Sequence, residues 1–312
     1  MEQKFYICKH CGNIIAKVKD TGVPVICCGE PMSEIIPGTT DHMTKAVRQM
    51  KEDIKLIDLV IELLDARIPL SSRNPDIDDL GKNKARLVLL NKSDLADEID
   101  NNKWIQYFKD KGIIALKINS KNKQGIKEIN NAVQIACKEK IERDKKRGII
   151  NRPVRAMVVG IPNVGKSTFI NAYAGRAATK TGNKPGVTKG KQWIKLNKNL
   201  ELLDTPGILW PKFDDQTIGM HLAFIGSMND NVLDVTELAY QLVKLLATTY
   251  PKAVVERYKI EGHEDPLQVM YQVAEARGCK LKGNQPDLEK TSKIIMDDFR
   301  AGKLGRITLD KL

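Results

Sequence analysis

Gly160-Ile161-Pro162-Asn163-Val164-Gly165-Lys166-Ser167 decides how this chain is read. It fits the pattern G-x-x-x-x-G-K-[ST], in which backbone N–H groups cradle phosphates, the lysine reaches the β- and γ-phosphates and the serine hydroxyl meets Mg²⁺. The flanks agree with that role. Val154, Ala156, Met157, Val158 and Val159 form a short apolar run that predicts a buried strand, and Thr168-Phe169-Ile170-Asn171-Ala172-Tyr173 suits the start of a helix. A strand, a glycine-bearing loop and a helix N-terminus together supply the donors and the positive dipole end that phosphates seek. Gly160, Asn163, Val164, Gly165, Lys166, Ser167 and Thr168 are therefore the expected phosphate-binding residues. Alone, the stretch specifies a nucleotide without saying which.

Upstream, Leu56 to Leu64 is an apolar run that reads as a strand or a helix end, and Asp65-Ala66-Arg67-Ile68-Pro69 leaves it as a loop. A clearer buried strand, Arg86-Leu87-Val88-Leu89-Leu90, runs into Asn91-Lys92-Ser93-Asp94. A carboxylate fixed at such a strand end, here Asp94, accepts hydrogen bonds from N1–H and the 2-amino group of guanine. Adenine cannot supply both, and a buried acceptor left unpaired discriminates strongly. A third strand, Ile113 to Ile118, ends at Asn119-Ser120-Lys121, a polar loop placed to cap the base. Downstream, the strand Leu200 to Leu203 runs into Asp204-Thr205-Pro206-Gly207. Asp204 is expected beside Mg²⁺, and Pro206-Gly207 at the γ-phosphate through the Gly207 N–H. Between these motifs, Thr188 sits in a lysine-rich loop, where a switch hydroxyl would complete the Mg²⁺ shell. Together they predict a site for GTP and GDP.

The base-reading motifs precede the phosphate loop, the reverse of the usual order, so the expected domain is a circularly permuted GTPase. Residues 42–312 resemble the ribosome biogenesis GTPase A family. Beyond the nucleotide motifs, the likeness rests on Asp65 to Pro75, on Pro211-Lys212-Phe213-Asp214-Asp215-Gln216 and on the ending Gly305-Arg306-Ile307-Thr308. The resemblance implies a late assembly factor for the large ribosomal subunit and its rRNA, with hydrolysis coupled to release. It also implies that Asn163 coordinates K⁺ beside the phosphates. Ile208 follows the last motif where a Ras-like enzyme carries a water-orienting glutamine. The family's substitute is a histidine in a Phe-Pro-Gly-His-Met segment. Here His42-Met43 matches its end, after Gly38-Thr39-Thr40-Asp41. His42 is thus either the water-orienting residue or an inert linker histidine. Lys166, Thr188 and His42 form the expected catalytic set.

Near the N-terminus, Cys8-Lys9-His10-Cys11 is followed by the adjacent pair Cys27-Cys28. Four thiolates from two short segments can close a tetrahedral site for iron or zinc. Residues 4–37 resemble the desulforedoxin-like domain of desulfoferrodoxins, through Tyr6 to Asn13 and Cys27 to Met32. That likeness implies Fe(Cys)₄.

Positive charge is concentrated centrally, with 34 Lys/Arg against 21 Asp/Glu in residues 42–216, and thirteen of each in 217–312. The excess favours a polyanionic partner larger than a nucleotide, RNA rather than membrane. In the last hundred residues, helices are expected over Val235–Thr248, Pro266–Ala276 and Leu288–Phe299. Their local basic clusters (Arg277, Lys280 and Lys282, or Arg300, Lys303 and Arg306) are either RNA contacts or solvated faces. With no signal-peptide pattern and no apolar run long enough to span a bilayer, a cytoplasmic protein is expected. The expected fold is α/β: a Cys₄ metal domain in 1–41, a circularly permuted P-loop GTPase domain in 42–216 and a helical, RNA-contacting domain in 217–312. The alternative function is an iron- or redox-responsive switch that uses the GTPase as its output.

Overall fold

The computed structural model describes residues 4–7, 14–17, 24–27, 30–35, 52–149, 152–178, 192–204, 215–228, 234–262 and 264–312. The N-terminal segment forms β1 (Lys4–Ile7), β2 (Ile14–Lys17), β3 (Ile26–Cys27), β4 (Glu30–Pro31) and β5 (Ser33–Ile35). Strands β2, β1 and β5 make a small antiparallel sheet, and β3 pairs with β4. Buried Met32 packs against Tyr6, Val25 and Cys27.

The larger sheet contains β6 (Leu59–Asp65), β7 (Ala85–Asn91), β8 (Ile114–Lys117), β9 (Val154–Val159), β10 (Gln192–Asn197) and β11 (Leu200–Asp204), in the spatial order β10-β11-β9-β6-β7-β8. All neighbours are parallel except the β10–β11 pair. The apolar run Leu56 to Leu64, read as a strand or a helix end, follows helical residues 52–55 and becomes strand from Leu59 onward, and all seven residues of β6 are buried. A parallel strand covered on both faces is expected to lose the apolar–polar alternation. Leu59, Ile61 and Leu63 face one core, while Val60 and Leu64 face two smaller clusters on the opposite side. Glu62 interrupts that second side, where Arg73 donates to it at 3.0 Å and Arg86 also contacts it.

Ten helices are bounded among the described residues: α1 (Ile77–Leu80), α2 (Glu98–Asp110), α3 (Ile129–Ala136), α4 (Lys138–Lys146), α5 (Lys166–Ala174), α6 (Gln216–Phe224), α7 (Val235–Thr249), α8 (Pro251–Tyr258), α9 (Pro266–Ala276) and α10 (Leu288–Arg300). The three C-terminal helices expected from periodicity are α7, α9 and α10. Aspartates 97, 215, 234, 265 and 287 cap α2, α6, α7, α9 and α10, each accepting from a first-turn N–H. Such caps contribute about 1 kcal/mol apiece. One apolar cluster runs from Leu59 and Ile61 of the sheet through Phe224 of α6 to Leu242, Met270 and Phe299 of the later helices.

The chain after α10 returns to the sheet. Ile307 N–H donates to the Leu95 carbonyl at 2.9 Å, Leu309 N–H to that of Arg67 at 2.7 Å, and Trp104 Nε1 to that of Asp310 at 3.2 Å. Asp310 pins this tail. Its buried carboxylate accepts from the N–H groups of Leu70 (2.8 Å) and Ser71 (2.7 Å) and from Ser71 Oγ (2.7 Å), and lies 2.7 Å from His221 Nδ1. Removing that acceptor leaves buried donors unsatisfied. Asp310→Ala is expected to lower stability by about 2–4 kcal/mol, read as a lower urea midpoint at unchanged slope.

Candidate functional site

Strands β6, β7, β8, β9 and β11 are parallel, so their carboxyl ends share one edge of the sheet. From β6 the chain proceeds to β7 and β8 on one side, and from β9 to β11 on the other. The β6–β9 boundary is therefore a topological switch point, where ligand crevices form in open α/β sheets. The phosphate loop leaves β9 there. Gly160 lies so close to β6 that a Cβ would sit 2.6 Å from the Leu63 carbonyl oxygen. Gly165 has φ +99°, and a Cβ on it would lie 2.7 Å from Asn91 Nδ2. Both positions need glycine for space, and Gly165 for its left-handed backbone as well. Helix α5 starts at Lys166, which is buried and donates to the Gly160 carbonyl at 3.2 Å. Ser167 and Thr168 occupy the same first turn, and Val164, within the loop, has its side chain buried.

The base motifs meet this loop directly. Asn91 Nδ2 donates to the Val164 carbonyl at 2.8 Å, while its Oδ1 accepts from Ser120 N–H (3.1 Å) and Oγ (2.8 Å). One amide thus ties the phosphate loop, the end of β7 and the loop after β8. Lys92 Nζ bridges the Asn163 carbonyl (2.9 Å) and Asp65 Oδ2 (3.0 Å). Ser93 N–H and Oγ both donate to the Ile118 carbonyl, leaving the next residue, Asp94, exposed. Asn119 Oδ1 accepts from the N–H groups of Lys121 and Asn122, which holds the capping loop in a turn.

Asp65 and Arg67 received no role from the sequence, although a carboxylate and a guanidinium two residues apart at a buried strand end are a readable signal. Asp65 is fully buried and takes both Arg67 Nε (2.9 Å) and Nη2 (2.8 Å). Burial alone would raise its pKa, but Arg67 and Lys92 overcome that and hold the carboxyl well below the usual carboxylate range. Arg67 continues outward, reaching the Arg300 carbonyl at 3.4 Å and lying 5.5 Å from the Phe299 ring centroid. The phosphate loop also touches the segment after α6. Asn163 Nδ2 donates to the Gly226 carbonyl at 2.7 Å, and Ser227 Oγ to that of Pro162 at 2.8 Å. The side chain expected to meet K⁺ therefore already holds a neighbouring backbone carbonyl through its nitrogen.

His42, Thr188, Pro206, Gly207, Cys8, Cys11 and Cys28 lie outside the described residues, as does the side chain of Asp204. The Asp204 backbone closes β11 in register with Val158 of β9, at the same sheet edge. Cys27 is half-buried. Among the described residues, no group of three or more His, Cys, Asp or Glu side chains is placed to hold a metal ion. No described helix is long and apolar enough to cross a membrane. The basic cluster Arg300, Lys303 and Arg306, read from sequence as RNA contacts or solvated faces, makes intramolecular bonds, while Lys303 and Arg306 stay exposed. Arg300 donates to the Phe224 carbonyl, Lys303 pairs with Asp298, and Arg306 donates to the Ala96 carbonyl.

A G-x-x-x-x-G-K-S loop at the switch point of a mostly parallel sheet, with an N-K-S-D loop hydrogen-bonded to it, is the architecture of a P-loop GTPase. The 50S ribosome-binding GTPase family matches residues 155–271. Over 270 residues the chain is 48% identical to ribosome biogenesis GTPase A of Bacillus cereus, covering 86% of this chain and 91% of that protein. It is 32% identical to mitochondrial ribosome-associated GTPase 1 of Mus musculus, with 91% of each chain covered. The solved structure of GNP-bound YlqF from T. maritima matches with a TM-score of 0.63 at 27% identity, over 86% of this chain and 98% of that one. The chain belongs to the ribosome biogenesis GTPase A family, and it is a GTPase.

The Gly165–Asn91 contact makes a sharp test of the site. Gly165→Ala forces a methyl group against Asn91 Nδ2 and strains the backbone. GTP turnover is expected to fall at least about tenfold, equivalent to about 1.4 kcal/mol, in steady-state phosphate release.

Proposed function

We propose that the protein is a GTP-hydrolysing assembly factor for the large ribosomal subunit, whose nucleotide state sets its grip on the maturing particle. The observation that carries this reading is the 48% identity, across most of both chains, to a relative named for ribosome biogenesis. The GTPase domain, residues 42–216, is circularly permuted in this reading. Its support is that β7 and its N-K-S-D loop precede β9 and the phosphate loop in the chain, yet lie beside them at one sheet edge.

In the bound state Asp94 accepts from the guanine N1–H and 2-amino group, while Asn119, Ser120 and Lys121 cap the base. Backbone N–H groups of the phosphate loop and Lys166 hold the β- and γ-phosphates, and water attacks the γ-phosphorus to give GDP and phosphate. GTPases of this class use Mg²⁺, which offsets phosphate charge. Ser167 and Asp204 offer the hydroxyl and carboxylate oxygens that such a hard cation prefers. Residues 217–312 form the particle-contacting domain. The bonds from Asn163 and Ser227 across the phosphate loop support a mechanical link between nucleotide and that domain. An rRNA partner is supported by the exposed Arg143, Lys145, Lys146 and Arg147 at the end of α4.

The N-terminal cysteines carry a second part of the proposal, a site for iron or zinc on Cys8, Cys11, Cys27 and Cys28. Its support is that Cys8 and Cys11 fall in the connection between paired β1 and β2, and Cys27-Cys28 at the β3–β4 connection. Such short connections suit pairs of thiolate ligands. The redox-switch alternative finds no support in the relatives, whose names concern ribosomes and GTPase activity.

Two measurements test these readings. With immature large subunits, co-sedimentation is expected to differ between the GDP form and the form loaded with a non-hydrolysable GTP analogue; equal binding would count against nucleotide control. Elemental analysis of the purified full chain is expected to find about one iron or zinc per chain, lost in a Cys8→Ser, Cys27→Ser double variant. Unchanged metal content in that variant would remove the Cys₄ proposal.

A further inference from the structure

Four hydrogen bonds fasten the C-terminal tail to the loop that follows Asn91. Arg306 donates through Nε to the Ala96 carbonyl (2.7 Å) and through Nη2 to the Ser93 carbonyl (3.1 Å). Ile307 N–H donates to the Leu95 carbonyl at 2.9 Å, and Asp97 N–H donates to Thr308 Oγ1 at 3.0 Å. The Ser93 carbonyl receives a further bond, from Asn101 Nδ2 of α2 at 3.1 Å. The same Nη2 also donates to Glu98 Oε2 at 2.8 Å. The residues on both sides of Asp94 are thus held by a segment more than two hundred positions away in sequence. Asp94 itself projects, exposed, from between them.

We infer that Arg306 is a positioning residue for guanine recognition: by bridging the Ser93 and Ala96 carbonyls, the tail sets the backbone from which the Asp94 carboxylate meets the base. The inference rests on the guanine-site reading of Asn91 to Asp94. A carboxylate must sit within a few tenths of an ångström of two donors at once to discriminate between bases, and hydrogen-bond strength falls steeply with misalignment. The Arg306 fork suits the task, because a planar guanidinium can address two acceptors in fixed geometry whereas an ammonium is a point charge. A tail built only to stabilise the fold would act on every nucleotide alike. A tail that aims Asp94 acts most on ligands that use both of its acceptor bonds.

GDP and IDP separate these cases, since inosine keeps N1–H and lacks the 2-amino group. In the full chain, dissociation constants for both are measured by competition with a fluorescent GDP analogue, for wild type, Arg306→Ala and Arg306→Lys. The fraction of folded protein cancels in the IDP/GDP ratio, so instability alone leaves that ratio unchanged. The wild type is expected to prefer GDP clearly. In Arg306→Ala, GDP binding is expected to weaken about tenfold and IDP binding about threefold or less, narrowing the ratio. Arg306→Lys, which keeps the charge without the fork, is expected to behave like Arg306→Ala. A wild-type ratio in either variant overturns the positioning role. Absence of any GDP preference in the wild type overturns the guanine-site reading itself.

Discussion

The buried carboxylate of Asp65 is the point on which the rest of the site depends. It ends the most completely buried strand of the sheet, and a charge in that position is tolerable only because Arg67 and Lys92 neutralise it with directed hydrogen bonds. Replacing such an ion pair with apolar groups can be nearly neutral, but removing one partner leaves an uncompensated charge, at a cost of about 3–5 kcal/mol. The two cations therefore stay fixed, and each carries the arrangement further. Lys92 reaches the phosphate loop at Asn163, and Arg67 reaches α10 at Arg300 and Phe299.

Around that centre the site is held by contacts with little slack. Asn91 uses both ends of its amide to join the phosphate loop to Ser120, and Gly165 leaves no room for a methyl group beside it. The phosphate loop is therefore held in place by packed neighbours on the base-motif side. The later helices are not merely appended. Pro162 and Asn163 of the phosphate loop bond to Ser227 and Gly226, and Arg300 secures the same segment through the carbonyls of Ala223 and Phe224. Direct bonds thus tie the phosphate loop to the segment after α6, and the end of α6 to α10.

Several elements were legible because their information is local. Gly160 to Ser167 must turn tightly, expose N–H groups and begin a helix, and each demand leaves a residue-specific mark within eight positions. The strands before Asn91, Gly160 and Asp204 announce themselves as apolar runs, and α7, α9 and α10 by their periodicity. The elements not singled out, such as β10 and α4, are amphipathic or strongly charged and owe their form to what they pack against. Glu62 is a further case: one carboxylate inside an apolar strand has no local explanation until Arg73 and Arg86 are seen to enclose it.

By itself, then, the sequence determined the nucleotide-binding class, the strands that carry its motifs and the order in which those motifs occur, since all of these rest on short-range chemistry. Only the tertiary structure decided how they combine. It brought Asn91 to Val164, Asp65 to Lys92 and Arg306 to Ser93, and it gave a C-terminal basic cluster intramolecular partners. Those pairings depend on sheet order and on the return path of the tail. Residues that are distant in the chain bear no mark of the partner they meet, because a hydrogen bond specifies geometry and chemistry but not sequence separation.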